Sequence, residues 1–357
     1  MKTSPSLFVT NFNPRFTGVS ATTAAVFNVH KTNLNASLVG KPLYGCPQPL
    51  SKREAIKLSW TQPKSYPFNI WHVRRNPEMQ LAIFARDVLR LPIKIVFTSA
   101  AQRRHSAWPR WLISRMDAVI ATSEEAAKFV PNVVSITPHG VDLNRFSPAK
   151  NQKESWLKTG FPGDYGIINI GRIRPEKGTD LFVEAMIETL PKLPRATAII
   201  AGQAKQKDAS FKRKLETRIE QAGLSKRILF IGEVQPVDLP NLLRGSKLLV
   251  ALPRYEGFGL TPLEAMACGL PIIASNTGHF EEFANTEHPN KASGKIVSIG
   301  DSQTASKEIF NLLSDPLAYS QFSKNALTHV TKNYSVEKEA HAIQKVYQRL
   351  WNGEIGQ

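Results

Sequence analysis

The stretch Tyr255–Ser275, with the sequence YEGFGLTPLEAMACGLPIIAS, holds residues whose types and spacing suit the binding of a polar ligand. Gly257 and Gly259 predict a turn where backbone approaches a ligand closely, and the helix that follows offers free amides to oxygen-rich groups. Glu256 and Glu264 lie on opposite sides of this turn. We therefore expect the two carboxylates to bracket a ligand that lies across it.

The same stretch also allows an interpretation without a ligand. Thr261, Pro262 and Glu264 have the spacing of a capping box with proline in the first helical turn. In that case Glu264 would only stabilise the start of a helix. The residue types alone leave both interpretations open.

A second candidate is the segment Gly171–Gly178, GRIRPEKG, which directly follows an apolar run. Arg172 can hold a diphosphate with two parallel hydrogen bonds, and Lys177 can add a point charge, so the pair suits a pyrophosphate leaving group. A glycine turn with solvated basic side chains is the alternative. A third segment, TGHFEE, offers the Gly278 amide to a phosphate, while Glu282 is equally suited to a helical first turn.

The first half of the chain contributes basic and glycine-containing segments. The loop PRFTGVS predicts a phosphate or acceptor contact near Gly18 and Val19, although most such loops are only turns. In the segment WHVRR, His72, Arg74 and Arg75 are candidates for contact with a substrate that accepts a transferred group. A solvated basic loop is the alternative.

One further segment of that half, residues 97–123, combines basic and aromatic side chains. They are Arg103, Arg104, His105, Trp108, Arg110, Trp111 and Arg115. Arginine next to tryptophan suits a surface that meets phosphates and a bilayer interface, whereas a solvated basic helix with tryptophans in the core is the alternative.

Taken as whole strings, these motifs resemble those of the retaining glycosyltransferase family 4. The match is strongest from Gly171 to Ser275 and departs at His279, where the family has a second glycine, and at Thr17, where it has a Gly-Gly pair. The resemblance implies a GT-B fold, in which two Rossmann-like doubly wound α/β domains face a central cleft and the C-terminal helix returns to the first domain.

The resemblance also implies roles for single residues. It implies catalytic roles for Glu256, His105, Arg172 and Lys177. It implies donor contacts for Gly18, Arg172, Lys177, Glu256, Gly257, Phe258, Gly259, Leu260, Glu264 and Gly278, with Glu264 on the ribose hydroxyls. Acceptor contacts are expected at Arg74, Arg75, Arg103 and Arg104, with an acceptor-binding or structural His105 as an alternative.

The segment His139–Phe146, HGVDLNRF, together with residues 97–123, particularly resembles the mannosyltransferases that build the inner core of lipopolysaccharide in Gram-negative bacteria. This likeness implies mannose transfer from GDP-mannose to a Kdo-bearing lipid A acceptor. The motifs do not distinguish guanine from uracil, so a UDP-sugar transferase acting on another glycolipid remains an alternative.

The net charge of +17 is distributed unevenly. Residues 1–150 contain 20 Lys and Arg against 7 Asp and Glu, a net charge of +13, which leaves +4 for the remainder. Such asymmetry indicates an anionic partner for the first half: nucleic acid, acidic lipid headgroups or a phosphorylated substrate. We find no nucleic-acid-binding motif and expect no nucleic-acid partner.

The order of apolar runs predicts two domains built from alternating strands and helices. Strands are expected in two series, at residues 6–10, 36–39, 68–73, 94–98, 118–121 and 133–136, and at 166–170, 196–201, 228–231, 248–252, 271–274 and 295–299. A helix is expected over Pro77–Leu89, a linker over Asp142–Gly166 and a final amphipathic helix over Val336–Leu350. The predicted domains are residues 1–150 for the acceptor, 165–335 for the nucleotide sugar, and 336–357 as the returning helix.

No DxD triplet is present to hold a cation on a diphosphate, so we expect metal-independent transfer with no cofactor. Met1–Ser6 lacks the features of a signal peptide, and no apolar run reaches membrane-spanning length, which predicts a cytoplasmic protein whose membrane contact is peripheral. The likeness to lipopolysaccharide core mannosyltransferases implies that this contact is with the inner membrane. Cys46 and Cys268 suggest neither a zinc site nor a disulfide. A sugar-nucleotide epimerase, a nucleic-acid binder and a noncatalytic sugar-nucleotide sensor remain rival functions.

Overall fold

The computed structural model describes residues 5–356, which form two compact units. One unit comprises the described residues up to Gly140 together with those from Tyr334 onward, and the other is Val141–Asn333. The expectation drawn from Met1–Ser6 lies mostly outside the described residues. None of the helices within residues 5–356 combines the length and the apolar composition needed to cross a lipid bilayer.

The first unit contains a parallel six-stranded sheet. Its strands are β1 (Leu7–Asn11), β2 (Ala36–Gly40), β3 (Asn69–Val73), β4 (Ile93–Ser99), β5 (Ala118–Ala121) and β6 (Val133–Ile136), in the spatial order β2-β1-β3-β4-β5-β6. β1, β3, β4 and β5 are almost wholly buried, as expected for a parallel sheet with helices on both faces. Its order reverses between β1 and β3, which makes the carboxyl ends of these strands a natural ligand position.

Helices of the first unit are α1 (Gly18–Asn33), α2 (Lys52–Leu58), α3 (Asn76–Ile83), α4 (Ala107–Ser114) and α5 (Glu124–Ala127). The predicted helix over Pro77–Leu89 is observed as α3 followed by a π-helical turn, Phe84–Val88. α2, α3, this turn and α4 contribute to one core on one face of the sheet. α1 contributes to a separate core on the other face.

The second unit repeats the architecture. Its strands are β7 (Tyr165–Ile170), β8 (Ala196–Ala201), β9 (Ile228–Gly232), β10 (Ser246–Ala251), β11 (Ile272–Ser275) and β12 (Gly294–Val297), in the order β12-β11-β10-β7-β8-β9. Its helices are α6 (Gln152–Leu157), α7 (Thr179–Thr189), α8 (Ala209–Gln221), α9 (Leu239–Gly245), α10 (Leu260–Ala267), α11 (Phe280–Ala284), α12 (Ser302–Ser314) and α13 (Pro316–Asn333). Here the order reverses between β7 and β10.

The predicted linker over Asp142–Gly166 is wrong, because this segment is a packed part of the second unit. It contains α6, whose Trp156 is fully buried and donates from Nε1 to the Gly163 carbonyl at 3.0 Å. A Cβ on Gly166 would lie 2.4 Å from the Trp156 ring, which shows how closely β7 covers it. One tryptophan among polar residues gives no helical periodicity, so the sequence did not predict that Trp156 holds this segment in the core.

The last helix, α14 (Val336–Trp351), returns to the first unit and covers the same face as α1. Ser335 caps it by accepting from the Lys338 amide. Its buried stripe includes Ile343, Tyr347 and Leu350, spaced as an amphipathic helix requires.

Candidate active site

The motifs of the second unit converge at the carboxyl ends of three neighbouring strands. Gly171–Gly178 follows β7, the segment with Glu256 follows β10, and Gly278 follows β11. β7 and β10 flank the point where the strand order reverses, which is where doubly wound sheets bind ligands. The fold therefore brings the three predicted donor motifs to one edge of one sheet.

At this edge Lys177 and Glu256 form an ion pair. Lys177 Nζ lies 2.5 Å from Glu256 Oε2, and both side chains are between a fifth and a quarter exposed. The pair depends on Gly178, which has a positive φ of 65° and whose added Cβ would lie 1.7 Å from the Leu252 carbonyl oxygen. No side chain fits there, so glycine allows the Lys177 turn to rest directly on the end of β10.

Arg172 lies exposed at the end of β7. Within the described residues it takes part in no ion pair, in contrast to Lys177. A guanidinium with open donors beside the reversal point suits an oxyanion ligand.

Glu256 is held by its own loop and by the next one. Its Oε1 accepts from the Gly257 amide at 3.1 Å, and its backbone amide donates to Thr277 Oγ1 at 3.2 Å. Gly259 adopts a positive φ of 87°, and a Cβ there would lie 2.2 Å from the Phe280 ring. A Cβ on Gly278 would come within 3.2 Å of the Glu256 Cβ. The glycines thus leave room for Glu256 between two loops.

Glu264 lies within α10 and does not cap it. The helix begins at Leu260 with Gly259 as its N-cap and without a side-chain cap, so the capping-box interpretation is wrong. Glu264 is 7% exposed and makes no hydrogen bond through its carboxylate to any described residue. Burial raises its pKa to about 7, and the positive charge of Arg145 opposes this rise. A buried carboxylate with unused acceptors is suited to paired hydroxyl donors.

The remaining donor-motif residues have mainly packing contacts. Phe258 is buried, with its ring centroid 4.9 Å from that of His279 and 5.3 Å from that of Phe283. His279 has a negative φ of −106°, so the position where the family has a second glycine does not require one. Glu282 is exposed in the first turn of α11, consistent with its structural interpretation.

In the first unit, Gly18 begins α1 and a Cβ there would meet nothing within 4 Å. Thr17 is the N-cap and accepts from the Ser20 amide. Arg75 reaches the same helix end: its Nη2 donates to Thr17 Oγ1 at 3.2 Å and to Ser20 Oγ at 3.0 Å. A guanidinium next to the positive end of a helix makes a region that favours anions.

Arg75 is nevertheless committed to protein partners. Its Nη1 donates to Asn11 Oδ1 at 3.0 Å and to Glu78 Oε1 at 3.1 Å. Glu78 is fully buried and also accepts from Thr10. The predicted acceptor contact at Arg75 would have to compete with this network.

Arg74 differs sharply from its neighbour. It directly follows β3 and is 8% exposed, yet its buried Nε and Nη1 have no hydrogen-bond partner among the described residues. Desolvation lowers the pKa of its guanidinium, while Tyr347, Glu339 and Glu78 oppose this effect. Unpaired donors on a buried cation are costly, which distinguishes Arg74 from the hydrogen-bonded Arg75.

His72 lies in the core rather than on the acceptor side. It is fully buried, and its ring nitrogens lie 2.5 Å from Tyr347 Oη and 2.7 Å from Thr98 Oγ1. Desolvation places its pKa well below the ordinary value. The acceptor interpretation of His72 is therefore wrong, because a neutral, fully bonded core histidine has nothing left to offer a substrate.

His105 lies in the segment between β4 and α4, partly buried, and its Nε2 has no partner among the described residues. Desolvation, followed by the charge of Arg103, lowers its pKa. Arg103 and Arg104 are exposed. The structure thus gives His105 a neutral ring with an unused nitrogen.

Sequence reasoning gave no role to several residues that shape these sites. Arg145 is the charged group that most affects Glu264, and Thr277 supports Glu256. Glu339 accepts from the Gly140 amide at 2.8 Å, and its carboxylate lies 2.7 Å from His139 Nδ1. The HGVDLNRF and TGHFEE strings did contain Arg145, His139 and Thr277, but only the fold shows which residues they face. Within residues 5–356 no cluster of three or more His, Cys, Asp or Glu suited to a metal ion was found.

The chain is similar to known proteins along most of its length. Residues 151–329 match the sequence profile of the glycosyl transferases group 1. The chain is 40% identical over 344 residues to a lipopolysaccharide core biosynthesis mannosyltransferase, LpcC, of Rhizobium leguminosarum bv. viciae, covering 95% of each chain. It is also 40% identical to the corresponding LpsB of Rhizobium meliloti, covering 95% of this chain and 96% of that protein.

Solved structures show the same architecture. The C-terminal domain of the group 1 glycosyl transferase LpcC from Francisella tularensis is 37% identical, with a TM-score of 0.51, covering 55% of this chain and 99% of that one. Anabaena Alr3699/HepE, solved with UDP and glucose, has a TM-score of 0.81 at 16% identity, covering 96% of this chain and 99% of that one. The second likeness shows the two-domain GT-B-like α/β fold and nothing about the ligand of this chain.

Proposed function

The chain belongs to the glycosyl transferases group 1 family, and from this premise we propose that it transfers mannose from GDP-mannose to the Kdo/lipid A inner core of lipopolysaccharide. Both 40% identical relatives carry names of lipopolysaccharide core mannosyltransferases, which supports the sugar and the pathway. GDP-mannose as the donor and the Kdo-bearing lipid as the acceptor are our proposals.

The observation that carries this function is the Lys177–Glu256 pair beside the unpaired Arg172. We infer that a bound donor breaks this ion pair. Lys177 and Arg172 then bind the diphosphate of the donor, while Glu256 accepts hydrogen bonds from the sugar hydroxyls. Two cationic groups then stabilise the negative charge that develops on the leaving diphosphate. Because they supply this charge from side chains, the reaction is proposed to need no metal or other cofactor.

The proposed reaction retains the configuration of the sugar. The bond between the anomeric carbon and the diphosphate oxygen breaks, and an acceptor hydroxyl oxygen bonds to the same face of that carbon. The acceptor proton passes to the leaving diphosphate. Glu256 and Glu264 have separate tasks in this scheme, so neither is assigned as a nucleophile.

The acceptor side rests on Arg74. Its buried guanidinium has unused donors at the carboxyl end of β3, and a carboxylate or phosphate of the acceptor would supply the missing acceptor atoms. We propose that Arg74 binds such a group after a small opening of the site, with Arg103, Arg104 and the end of α1 near Gly18 meeting further anionic groups. The acceptor is a membrane glycolipid in this proposal, so the enzyme would work in the cytoplasm at the surface of the inner membrane.

A transfer assay tests the proposal. Purified protein is offered GDP-mannose, UDP-glucose, UDP-galactose and UDP-N-acetylglucosamine separately, with Kdo-bearing lipid A and with or without EDTA. We expect mannose on the lipid from GDP-mannose alone, with the rate unchanged by EDTA. Transfer from a UDP-sugar would refute the donor, and loss of activity in EDTA that added metal restores would refute metal independence.

Variants connect the activity to the site. Arg172→Gln should lower kcat/KM about a hundredfold through loss of a charge at the diphosphate, while Arg213→Gln, an exposed arginine on α8, should leave it unchanged. Arg74→Gln should raise the KM for the anionic acceptor more than that for the donor. Equal effects of Arg172→Gln and Arg213→Gln would remove Arg172 from the site.

A further inference from the structure

The outer surface of α4 and the adjoining π-helical turn exposes large apolar side chains. Trp108 and Trp111 on α4 are 52% and 49% exposed, and Phe84 and Val88 on the turn are 45% and 63% exposed. Asp87 of the turn and Arg115 at the end of α4 form an ion pair at 2.7 Å, which joins the two elements. The inner faces of both elements pack into the core, so this apolar surface is their solvent side.

The surrounding charges are almost uniformly positive. Residues 84–117 contain seven arginine or lysine residues against two acidic residues. Both acidic residues are neutralised, because Asp87 pairs with Arg86 and Arg115, and Asp117 pairs with Arg86 and Lys94. The other four arginines, which are exposed and form no ion pair within the described residues, are Arg90, Arg103, Arg104 and Arg110.

We propose that these four apolar side chains and four arginines, together called the α4 surface, dock the protein on a bilayer of anionic phospholipids. This inference rests on the proposed function in one respect: an enzyme whose acceptor is a membrane lipid must work at the membrane surface. Indole rings place an apolar body and a polar N–H at the boundary of headgroups and acyl chains. The unpaired arginines meet the negative headgroups, as charge complementarity requires.

The geometry of the tryptophans favours a bilayer over single-stranded nucleic acid. The Trp108 and Trp111 rings lie nearly parallel, with an interplanar angle of 11° and centroids 5.1 Å apart. Each ring therefore covers one face of the other, so the pair forms one continuous apolar block with no gap into which a base could insert. A second copy of the chain is also disfavoured, because a symmetric contact would bring the same arginines together.

The test compares Trp108→Ala/Trp111→Ala with Trp60→Ala, which removes another exposed tryptophan of the first unit outside the α4 surface. Full-length proteins are sedimented with vesicles of phosphatidylcholine, with or without phosphatidylglycerol, and their melting temperatures verify folding. We expect wild type and Trp60→Ala to bind the anionic vesicles, and the double variant to bind at least about tenfold less tightly. Arg90→Gln/Arg110→Gln should weaken binding about fivefold for each arginine.

Transfer to a deacylated, soluble Kdo acceptor separates this inference from the proposed function. Trp108→Ala/Trp111→Ala should keep full activity on the soluble acceptor, since neither tryptophan belongs to the proposed site. Vesicle binding by a protein that transfers no sugar would refute the function and keep the docking surface. Unchanged vesicle binding by the double variant, or binding of oligonucleotides but not of vesicles, would overturn the docking surface.

Discussion

Acidification should weaken donor binding through Glu264. In our proposal its carboxylate accepts hydrogen bonds from the two ribose hydroxyls, a task that only the ionised form performs fully. Burial raises the pKa of this group from its ordinary value of 4.5 to about 7 in the unliganded protein. Protons and donor therefore compete for Glu264 within the range where the enzyme is easily assayed.

The magnitude follows from this competition. Above the pKa of about 7 the carboxylate is ionised and the donor binds without hindrance, whereas each pH unit below it leaves about tenfold less of the binding form. The KM for the donor should rise about tenfold between about pH 8 and about pH 6. The diphosphate of GDP-mannose is a diester with no group titrating in this range, so the change belongs to the protein.

Initial rates at varied GDP-mannose, constant ionic strength and saturating acceptor would measure this profile. Glu264→Gln should raise KM at every pH and flatten the profile, because the amide does not titrate. Arg145→Gln should move the midpoint to higher pH, since Arg145 opposes the rise in the Glu264 pKa. An unchanged slope in Glu264→Gln would refute the reasoning.

The same pKa shift makes an opposite prediction for folding stability. The folded state holds the Glu264 proton more tightly than the unfolded chain, so this contribution is present at low pH and is lost as pH rises through about 7. At higher pH the ionised buried group costs on the order of 3 kcal/mol. Glu264→Gln should thus unfold at higher urea concentration than wild type at alkaline pH, although it binds donor less well.

Four further single variants test the structure. Lys177→Met and Glu256→Gln should each lower kcat/KM about a hundredfold or more, yet a double-mutant cycle of unfolding should show a coupling of only about 1 kcal/mol or less, because the pair is partly exposed. Gly178→Ala should lower the free energy of unfolding by about 2–4 kcal/mol in urea titrations, since the added Cβ would overlap the backbone of β10 and the backbone has a positive φ. Tyr347→Phe should lower the free energy of unfolding by about 1–3 kcal/mol because Nδ1 of buried His72 loses its partner while Nε2 keeps Thr98, and an unchanged urea midpoint would contradict that hydrogen bond.

The sequence predicted the alternating strands and helices well, because each strand is a short apolar run between turn-forming residues. The predicted strand at residues 196–201 coincides with β8, and that at 118–121 coincides with β5. The helix expected after the Gly257–Gly259 turn is observed, but the capping-box interpretation of its start is wrong. Capping-box spacing at Thr261 carries no information on whether Gly259 can begin the helix in a left-handed conformation, as it does.

The sequence could not predict hydrogen bonds between residues that lie far apart along the chain. His72 meets Tyr347 across 275 positions, and His139 meets Glu339 across 200. Both partners lie on α14, whose return to the first unit came from the family resemblance and not from its own periodicity. Arg74 and Arg75 are adjacent and chemically identical, yet Nε and Nη1 of Arg74 have no hydrogen-bond partner among the described residues, whereas the Arg75 side chain makes four hydrogen bonds. Only the packed fold separates them.

The return of α14 to the first unit sets an order of events during synthesis. The ribosome completes Val141–Asn333, with all six strands of its sheet, before it adds the residues of α14. Until then the face of the first sheet beneath Tyr347 and Trp351 lacks its cover and shows apolar surface to water. The first unit therefore emerges before the second but closes after it, and in the interval that open face is the place where a chaperone would bind or a nascent chain would aggregate.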